Sequence, residues 1–318
     1  MRVLILGGTS LTGPFLVQRL NSLGHHVTVF HRGEHEAELP PGVTHLHGDF
    51  HNPPRALRDD SPDVVVHMWA LTEADAAHFL HFFRGAAGRA VVISSGDVYR
   101  AYGRLQRLES DDAPAAGLPL DEDAPLRQSR YPYRNRTGPV EIPGQYDKVL
   151  VEAALRAQTE LPVTILRFPA VFGPHDYHRF RPWVQKLVPA ANEIRLQEDF
   201  ARWRWTHGFV EDVAESVVLA VTQQAAAGRT YNVGEAVAPT WAERLREWAR
   251  VAGWNGRIVP VAADALPENE RMSLDFAHHL AVDTTRIRRE LGYAEVVPRE
   301  VAIARTIAWE RASGDARP

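Results

Sequence analysis

Arg2-Val3-Leu4-Ile5-Leu6-Gly7-Gly8-Thr9-Ser10-Leu11-Thr12-Gly13-Pro14-Phe15-Leu16-Val17-Gln18-Arg19-Leu20 is the stretch that decides the fold. Residues 2–6 are an aliphatic run, β-branched in part and stopped by Gly7, which predicts a buried strand. Residues 14–20 group Phe15, Leu16, Arg19 and Leu20 by helical turns. Pro14 suits a first turn, where its missing N–H would have no partner anyway. Strand, glycine turn and helix is an arrangement that holds a dinucleotide pyrophosphate. The glycines let backbone approach phosphate, and the helix N-terminus offers free N–H groups and a positive dipole end. Gly7, Thr9, Ser10, Leu11, Thr12 and Gly13 are the candidate phosphate-side residues. An ordinary strand-to-helix turn has the same outline.

Working outward, His26-Val27-Thr28-Val29-Phe30-His31 supplies a second strand at the expected distance. Strands are also predicted over residues 44–47, 63–70 and 89–99, and helical spacing returns over residues 74–83. Strands that are apolar throughout and alternate with helices predict a parallel sheet covered on both faces. The second strand ends at His31-Arg32-Gly33, where the adenine ribose would lie. No acidic residue stands at that tip, and Arg32 can pair with a 2′-phosphate through its planar fork. The cofactor expected is therefore NADP, with NAD as the other option; a solvated loop arginine is the plainer reading of Arg32. His45 and His47 share one strand face in a histidine-rich region. No acidic or further histidine ligand lies at an obvious spacing, so no metal is expected.

The 318 residues are 45% hydrophobic and carry a formal net charge of −4. That is enough for one large α/β domain or a domain with a smaller lobe. It gives no bulk pull toward nucleic acid or an anionic membrane. With no cysteine, thiolate catalysis, disulfides and cysteine metal sites are excluded. No apolar run approaches the roughly 20 residues needed to span a bilayer. A cytoplasmic protein without a membrane or nucleic-acid partner is expected.

Gly-Gly-Thr-x-x-x-Gly at residues 7–13, with Ser10 in place of the usual middle glycine, resembles a branch of the extended short-chain dehydrogenase/reductase superfamily. That branch includes the chloroplast stem-loop RNA-binding proteins. Further matches follow in order. Residues 63–70 resemble a V-I-H-x-A-A strand end, Ser94 to Tyr99 an S-S-x-x-V-Y sequence, and residues 164–174 an L-R-x-x-x-V-Y-G-P strand. Residues 208–214 resemble D-F-V-x-V-x-D-V-A, residues 229–234 contain Y-N-V-G, and residues 283–293 resemble the D-x-x-K/R-x-x-x-x-L-G-[WY] pattern.

The resemblance implies an α/β fold: a Rossmann-type doubly wound parallel sheet with a smaller C-terminal substrate lobe. Residues 1–173 and 208–235 would form the dinucleotide-binding domain, and residues 174–207 and 236–318 the lobe. It implies that Asp49 caps the adenine amino group and Phe50 packs its ring. Met68, Trp69 and Ala70 would pass under the cofactor, with Trp69 replacing a small residue. Ser94, Lys148, Phe168, Pro169 and Val171 would complete the cofactor site. Ser95 would be the catalytic hydroxyl. Family members commonly dimerise through the lysine helix, for which Leu150, Val151, Ala154 and Leu155 offer an apolar stripe. The small-molecule substrate would be a hydroxylated or keto metabolite, with a nucleotide sugar as the default.

One departure concerns the chemistry. The family pattern is Y-x-x-x-K-x-x-x-E; Lys148 and Glu152 fit it, but the tyrosine position is Gly144. Tyr146 lies two residues before the lysine, on the opposite face of a regular helix over residues 146–155. Three readings remain open. Tyr146 supplies the phenol from an irregular turn, Asp97 or a lid tyrosine does the proton work, or the protein binds cofactor without turnover in a regulatory or RNA-binding role. Residues 100–145 are long, polar and rich in Pro and Gly, a candidate lid. Tyr131, Tyr133, Arg134 and Arg136 within it could grip an anionic or aromatic group or merely stiffen a loop. Arg202-Trp203-Arg204-Trp205-Thr206-His207 alternates cation and aromatic. As a strand it could stack a ring and pair a phosphate, or bury a tryptophan face. Tyr99, Tyr133, Arg204 and Trp205 are the candidate substrate contacts.

Overall fold

The computed structural model describes residues 1–109, 117–134, 142–176, 180–187 and 192–313. Its strands are β1 (Arg2–Leu6), β2 (His26–His31), β3 (Thr44–His47), β4 (Val64–His67), β5 (Arg89–Ser95) and β6 (Val163–Phe168). They continue with β7 (Ala170–Phe172), β8 (Glu193–Gln197), β9 (His207–Phe209), β10 (Thr230–Asn232) and β11 (Arg257–Val261). Seven strands form one sheet in the order β10-β6-β5-β4-β1-β2-β3, with every pairing parallel. The chain winds from β1 out to β3, then returns past β1 to β4 and winds the other way. A crevice therefore opens at the carboxyl ends of β1 and β4, where an α/β sheet holds its ligand.

Parallel strands need both faces covered, and the apolar content of β1, β4 and β5 reflects that. Leu16, Val17 and Leu20 of the Gly13–Ser22 helix cover one face with Val217, Val218 and Val221 of the Val210–Thr222 helix. Phe79, Leu80 and Phe83 of the Glu73–Phe83 helix cover the other with Val151 and Leu155 of the Lys148–Arg156 helix. Val151 and Leu155 are thus core residues, which removes half of the apolar stripe expected to mediate dimerisation. Their side chains face the sheet because it offers the nearer apolar surface.

The lobe adds the parallel pair β8–β11 and the Trp241–Val251 helix, whose Thr240 and Glu243 form a reciprocal capping box. β7 and β9 pair at the junction. One apolar cluster runs from Val3 and Leu16 through Phe172 and Phe180 to Trp248 and Ile303, so lobe and sheet share a core.

Three expectations change. Residues 202–207 are not one strand: Arg202 ends the Glu198–Arg202 helix and only His207 enters β9. Trp205 instead bridges to Leu280, and Arg204 to Thr240. The lysine helix begins at Lys148, not at Tyr146. The described part of residues 100–145 is no simple lid. Leu120, Glu122 and Arg127 are buried, and the Leu120 N–H donates to Ala281 O at 2.8 Å. Arg136 lies outside the described residues. Among the described residues no helix is long and apolar enough to cross a membrane.

Candidate active site

The turn after β1 has the shape a pyrophosphate requires. Gly7 and Gly8 have φ of +90° and +91°, a backbone region that side chains disfavour. A Cβ on Gly13 would stand 2.3 Å from the Gly8 carbonyl carbon, so only glycine lets the helix start against the turn. Thr12 is the N-cap residue, and Leu11 adopts a φ of +47°. Thr9, Ser10, Leu11 and Thr12 therefore line the turn ahead of the helix N-terminus. These residues fit a dinucleotide. Met68 leans on Gly7, and Trp69 beyond it is 55% exposed at the crevice edge. Ala70 is buried, and its carbonyl accepts from Lys148 Nζ at 2.6 Å. Asp49 accepts from the His51 N–H at 2.9 Å, and the Phe50 ring packs on His67 at 4.6 Å. Arg32 pairs with Glu34 at 2.9 Å with both side chains exposed, an interaction weak enough for a phosphate to replace.

At the tip of β2 the tertiary structure adds ligands that spacing did not show. His31 and Glu36 join His45 and His47, and their ligand atoms lie within 4.8 Å of one another. Parallel register sets His31 beside His47. Glu36 reaches His47 Nε2 at 2.9 Å and His45 Nε2 at 3.6 Å. A further histidine and an acidic ligand are therefore at hand, and this donor set is one a divalent transition metal accepts. One contact opposes that use. The Gly33 N–H donates to His31 Nδ1 at 3.1 Å, which leaves the proton of a neutral His31 ring on Nε2, the atom facing His45.

Buried titratable groups gather at the end of β5. Ser95 caps the short Gly96–Val98 turn, its Oγ accepting from the Asp97 N–H at 3.2 Å. That turn carries Asp97 to the end of the sheet, where it is only 6% exposed. Its Oδ2 accepts from the Tyr146 hydroxyl at 2.7 Å and from the Tyr133 hydroxyl at 3.3 Å. Tyr133 in turn accepts from Tyr102 at 2.7 Å. Burial raises the Asp97 carboxyl above its usual range, and the Tyr146 hydrogen bond and the Arg127 and Lys148 charges offset that only in part. Burial, then the Asp97 charge and hydrogen bond, hold Tyr146 well above an ordinary phenol, while a Ser95 hydrogen bond works the other way.

Tyr146 reaches this site because it precedes the helix. Asp147 is extended at φ −160° and ψ 101°, and its side chain caps Val149 N–H at 3.0 Å. Across an extended residue, neighbours two apart point the same way. Tyr146 and Lys148 therefore converge, with Nζ 6.0 Å from the phenol ring centre. Arg127 fixes this turn by pairing with Asp147 at 3.0 Å in full burial. Gly144, at the family's tyrosine position, lies in the preceding turn with open space around it. Lys148 Nζ also donates to Ile93 O at 2.9 Å, and burial lowers it to about 8 against the pull of Asp97, Asp75 and Glu152.

A cavity of about 340 Å³ runs from Ser95, Asp97, Phe168 and Pro169 into the lobe, where Trp203 and Trp205 line it. Tyr133 and Trp205, two of the expected substrate contacts, are in its wall. The other two are not. Tyr99 is fully buried, donating to Asn232 Oδ1 at 2.5 Å, because its ring completes the core under β5. Arg204 faces the other way, donating to Ala238 O at 2.9 Å. Ser94 turns inward, its hydroxyl donating to Glu152 Oε1 at 2.6 Å, so that side chain is structural. Val171 is buried in β7 and does not line this cavity. Sequence reasoning missed Gln106 and Trp241, which do line it. Trp241 follows Thr240 in a Thr-x-x-Glu capping box, but that pattern fixes a helix start and not the direction a ring faces.

A family model described as the NAD dependent epimerase/dehydratase family matches residues 3–134 and 135–234. The chain is 38% identical over 100 residues to the 2'-dehydrokanamycin reductase of Streptomyces kanamyceticus, covering 30% of this chain and 28% of that protein. It thus spans less than a third of that relative's length. It is 26% identical to the dTDP-glucose 4,6-dehydratase of Streptomyces niveus over 98% of this chain and 93% of that one. The fold superposes on the Bordetella bronchiseptica enzyme WbmH, solved in complex with NAD+, with a TM-score of 0.69 and 18% identity over 99% of each chain.

Proposed function

We propose that this chain, which belongs to the NAD dependent epimerase/dehydratase family, is an oxidoreductase of a hydroxylated or keto metabolite in which Asp97, backed by Tyr146 and Ser95, carries the substrate proton. The observation behind it is the buried Asp97 carboxyl at the sheet end, hydrogen-bonded to Tyr146 at 2.7 Å and facing the cavity beside Pro169. A nicotinamide dinucleotide laid over the Gly7–Gly13 turn supplies or takes the hydride when bound. The protein moves the proton. Burial raises the Asp97 carboxyl and so favours the protonated form that can donate to a substrate oxygen, while the Tyr146 hydroxyl steadies its other oxygen along the 2.7 Å hydrogen bond. The Ser95 hydroxyl is placed to orient that oxygen. Lys148 keeps a positive charge near the carboxylate form of Asp97 and, with one of its three N–H bonds unused by Ala70 and Ile93, can reach a cofactor ribose.

NADP is proposed over NAD on the strength of Arg32 at the β2 tip, although the relative named above was solved with NAD+. The names of the curated relatives bring sugars forward as the starting substrate class. Residues 1–173 and 208–235 are taken as the cofactor domain and the remainder as the substrate lobe. A cytoplasmic homodimer is part of the proposal, with sedimentation mass at micromolar concentration as its check.

The deciding experiment is titration of the purified chain with NADP and NAD, followed by turnover assays on Asp97→Asn and Tyr146→Phe. Dinucleotide binding with a large loss of turnover in both variants supports the reading. Dinucleotide binding with no turnover of any ketone or alcohol offered would leave a cofactor-binding protein without redox activity.

A further inference from the structure

We propose that the cavity takes an uncharged cyclic ketone or secondary alcohol with a flat apolar ring face and few hydroxyls, not a sugar joined to a diphosphate. This rests on the hydride-transfer reading of the cavity and deepens it.

The far wall is aromatic. Trp183 and Trp241 meet at 5.5 Å, Phe200 and Trp241 at 5.0 Å, and Trp203 and Phe276 at 5.6 Å between ring centres. All of them line the cavity. The Trp203 Nε1–H is already used, donating to His278 O at 2.9 Å, so this ring offers only its apolar body. The faces of such rings reward a flat apolar surface and repel an anion.

Charge points the same way. Among the described residues Arg167 is the one cation in the wall. Its guanidinium is already engaged by Glu152 at 3.0 and 2.8 Å, by the Tyr99 hydroxyl at 3.0 Å and by Glu122 O at 2.8 Å. Arg204 donates to Ala238 O outside the cavity. A diphosphate seated here would bury charge without a partner, which is strongly unfavourable. The size agrees: about 340 Å³ is near the lower end of ligand pockets, roughly 300–1,000 Å³.

Three polar atoms in the wall say what the ring must carry. Asp97 Oδ1, Gln106 Oε1 and Trp241 Nε1 are buried and find no protein partner among the described residues. Buried polar groups are satisfied as a rule, and three orphans around one cavity mark where a ligand bonds. Asp97 stands at the reacting end, beside Ser95. Gln106 accepts a hydroxyl proton, and Trp241 donates to one oxygen farther along the ring. In the reductive direction hydride adds to the carbonyl carbon, the Asp97 proton goes to the carbonyl oxygen, and the products are the secondary alcohol and the oxidised dinucleotide.

The test uses the full chain with the reduced dinucleotide that binds it, and two probes: β-tetralone and dTDP-glucose. Binding is followed by calorimetry, turnover by loss of reduced-nicotinamide absorbance. We expect β-tetralone to bind and dTDP-glucose neither to bind nor to compete. Trp241→Phe keeps the ring, and Gln106→Leu keeps the volume. For 6-hydroxy-β-tetralone, which adds a polar group at the far end of the ring system, each should weaken binding about ten-fold with dinucleotide affinity unchanged. β-Tetralone binding without turnover would sink the hydride-transfer reading while leaving the ligand class standing. Tight binding of dTDP-glucose, or binding of neither probe by a chain that holds dinucleotide, would overturn the ligand class.

Discussion

The two walls of the cavity are built on different physics. The sheet-end wall is polar and tense. Asp97 and Tyr133 line it, Tyr146 and Lys148 are buried behind them, and burial moves each of the four away from its ordinary pKa. The lobe wall, of Trp183, Phe200, Trp203 and Trp241, is neutral and closely packed. A third region behind the sheet end sharpens the contrast. There Glu152 is equally buried, yet Ser94, Arg167 and Arg156 satisfy its carboxylate at 2.6 to 3.0 Å. Burial alone would raise Glu152, but Arg167 and Arg156 outweigh it and the carboxyl sits below its usual range. Glu152 and Asp97 are thus two buried carboxylates with opposite shifts. The fully partnered one holds the fold, and the one with an orphaned oxygen faces the cavity.

The sharpest way to break this contrast is at the phenol. Tyr146→Phe should lower turnover by about a hundred- to ten-thousand-fold, the usual worth of a positioned acid/base. Stopped assays with saturating dinucleotide would measure it. A silent Tyr146→Phe beside severe Ser95→Ala and Lys148→Ala would leave the proton with Asp97 and show that Tyr146 does not support it. If all three are silent, the assignment of the proton step to this cluster falls.

Glu152→Gln tests the structural carboxylate. Removing one partner of a buried ion pair costs about 3–5 kcal/mol, measurable by urea unfolding. The sign with pH is fixed by a folded pKa below the unfolded 4.5. Stability from Glu152 is present above that value and is lost as pH falls through the depressed one. The wild type should therefore lose stability in acid more steeply than Glu152→Gln. Parallel acid-unfolding curves would show that Glu152 is not held as described.

Asp97 should respond in the opposite sense. Its carboxyl is raised, and reduction needs it protonated, so reductive kcat should fall as pH rises through that raised value. Asp97→Asn should abolish that limb of the profile; a profile unchanged in the variant would assign the limb to another group. The smallest effect is expected at the β2 tip. Arg32→Ala should cut the preference for NADP over NAD by about ten-fold, one charge-assisted contact, as comparative titrations would show. An unchanged ratio would remove Arg32 from the cofactor proposal.

Much of this was legible in the chain itself. Residues 2–20 gave strand, turn and helix because local sterics dictate each: apolar β-branched residues, glycines at positive φ, and Pro14 in a first turn. The same holds for β2, β3 and the Glu73–Phe83 helix, which start and stop within a residue of the expected bounds. Ser95, Asp97 and Lys148 were picked out on the family resemblance; Ser95 ends β5, Asp97 sits in the turn after it, and Lys148 opens a helix. The position of Tyr146 was not. A helix over residues 146–155 sends it to the wrong face, and the one local hint was Asp147, a capping residue type just before Lys148.

What the sequence determined by itself is what neighbours along the chain decide: the alternation of strands and helices, the phosphate turn, and which residue types stand at the carboxyl ends of the strands. What only the tertiary structure decided depends on partners far apart in the chain. The Arg127–Asp147 pair holds the turn that swings Tyr146 onto Asp97. Register between β2 and β3 brings His31 to His47. Gln106 and Trp241, far apart along the chain, line one cavity. Periodicity reports which face of an element is buried, but not what lies opposite it, and the selectivity of this site is set by what lies opposite.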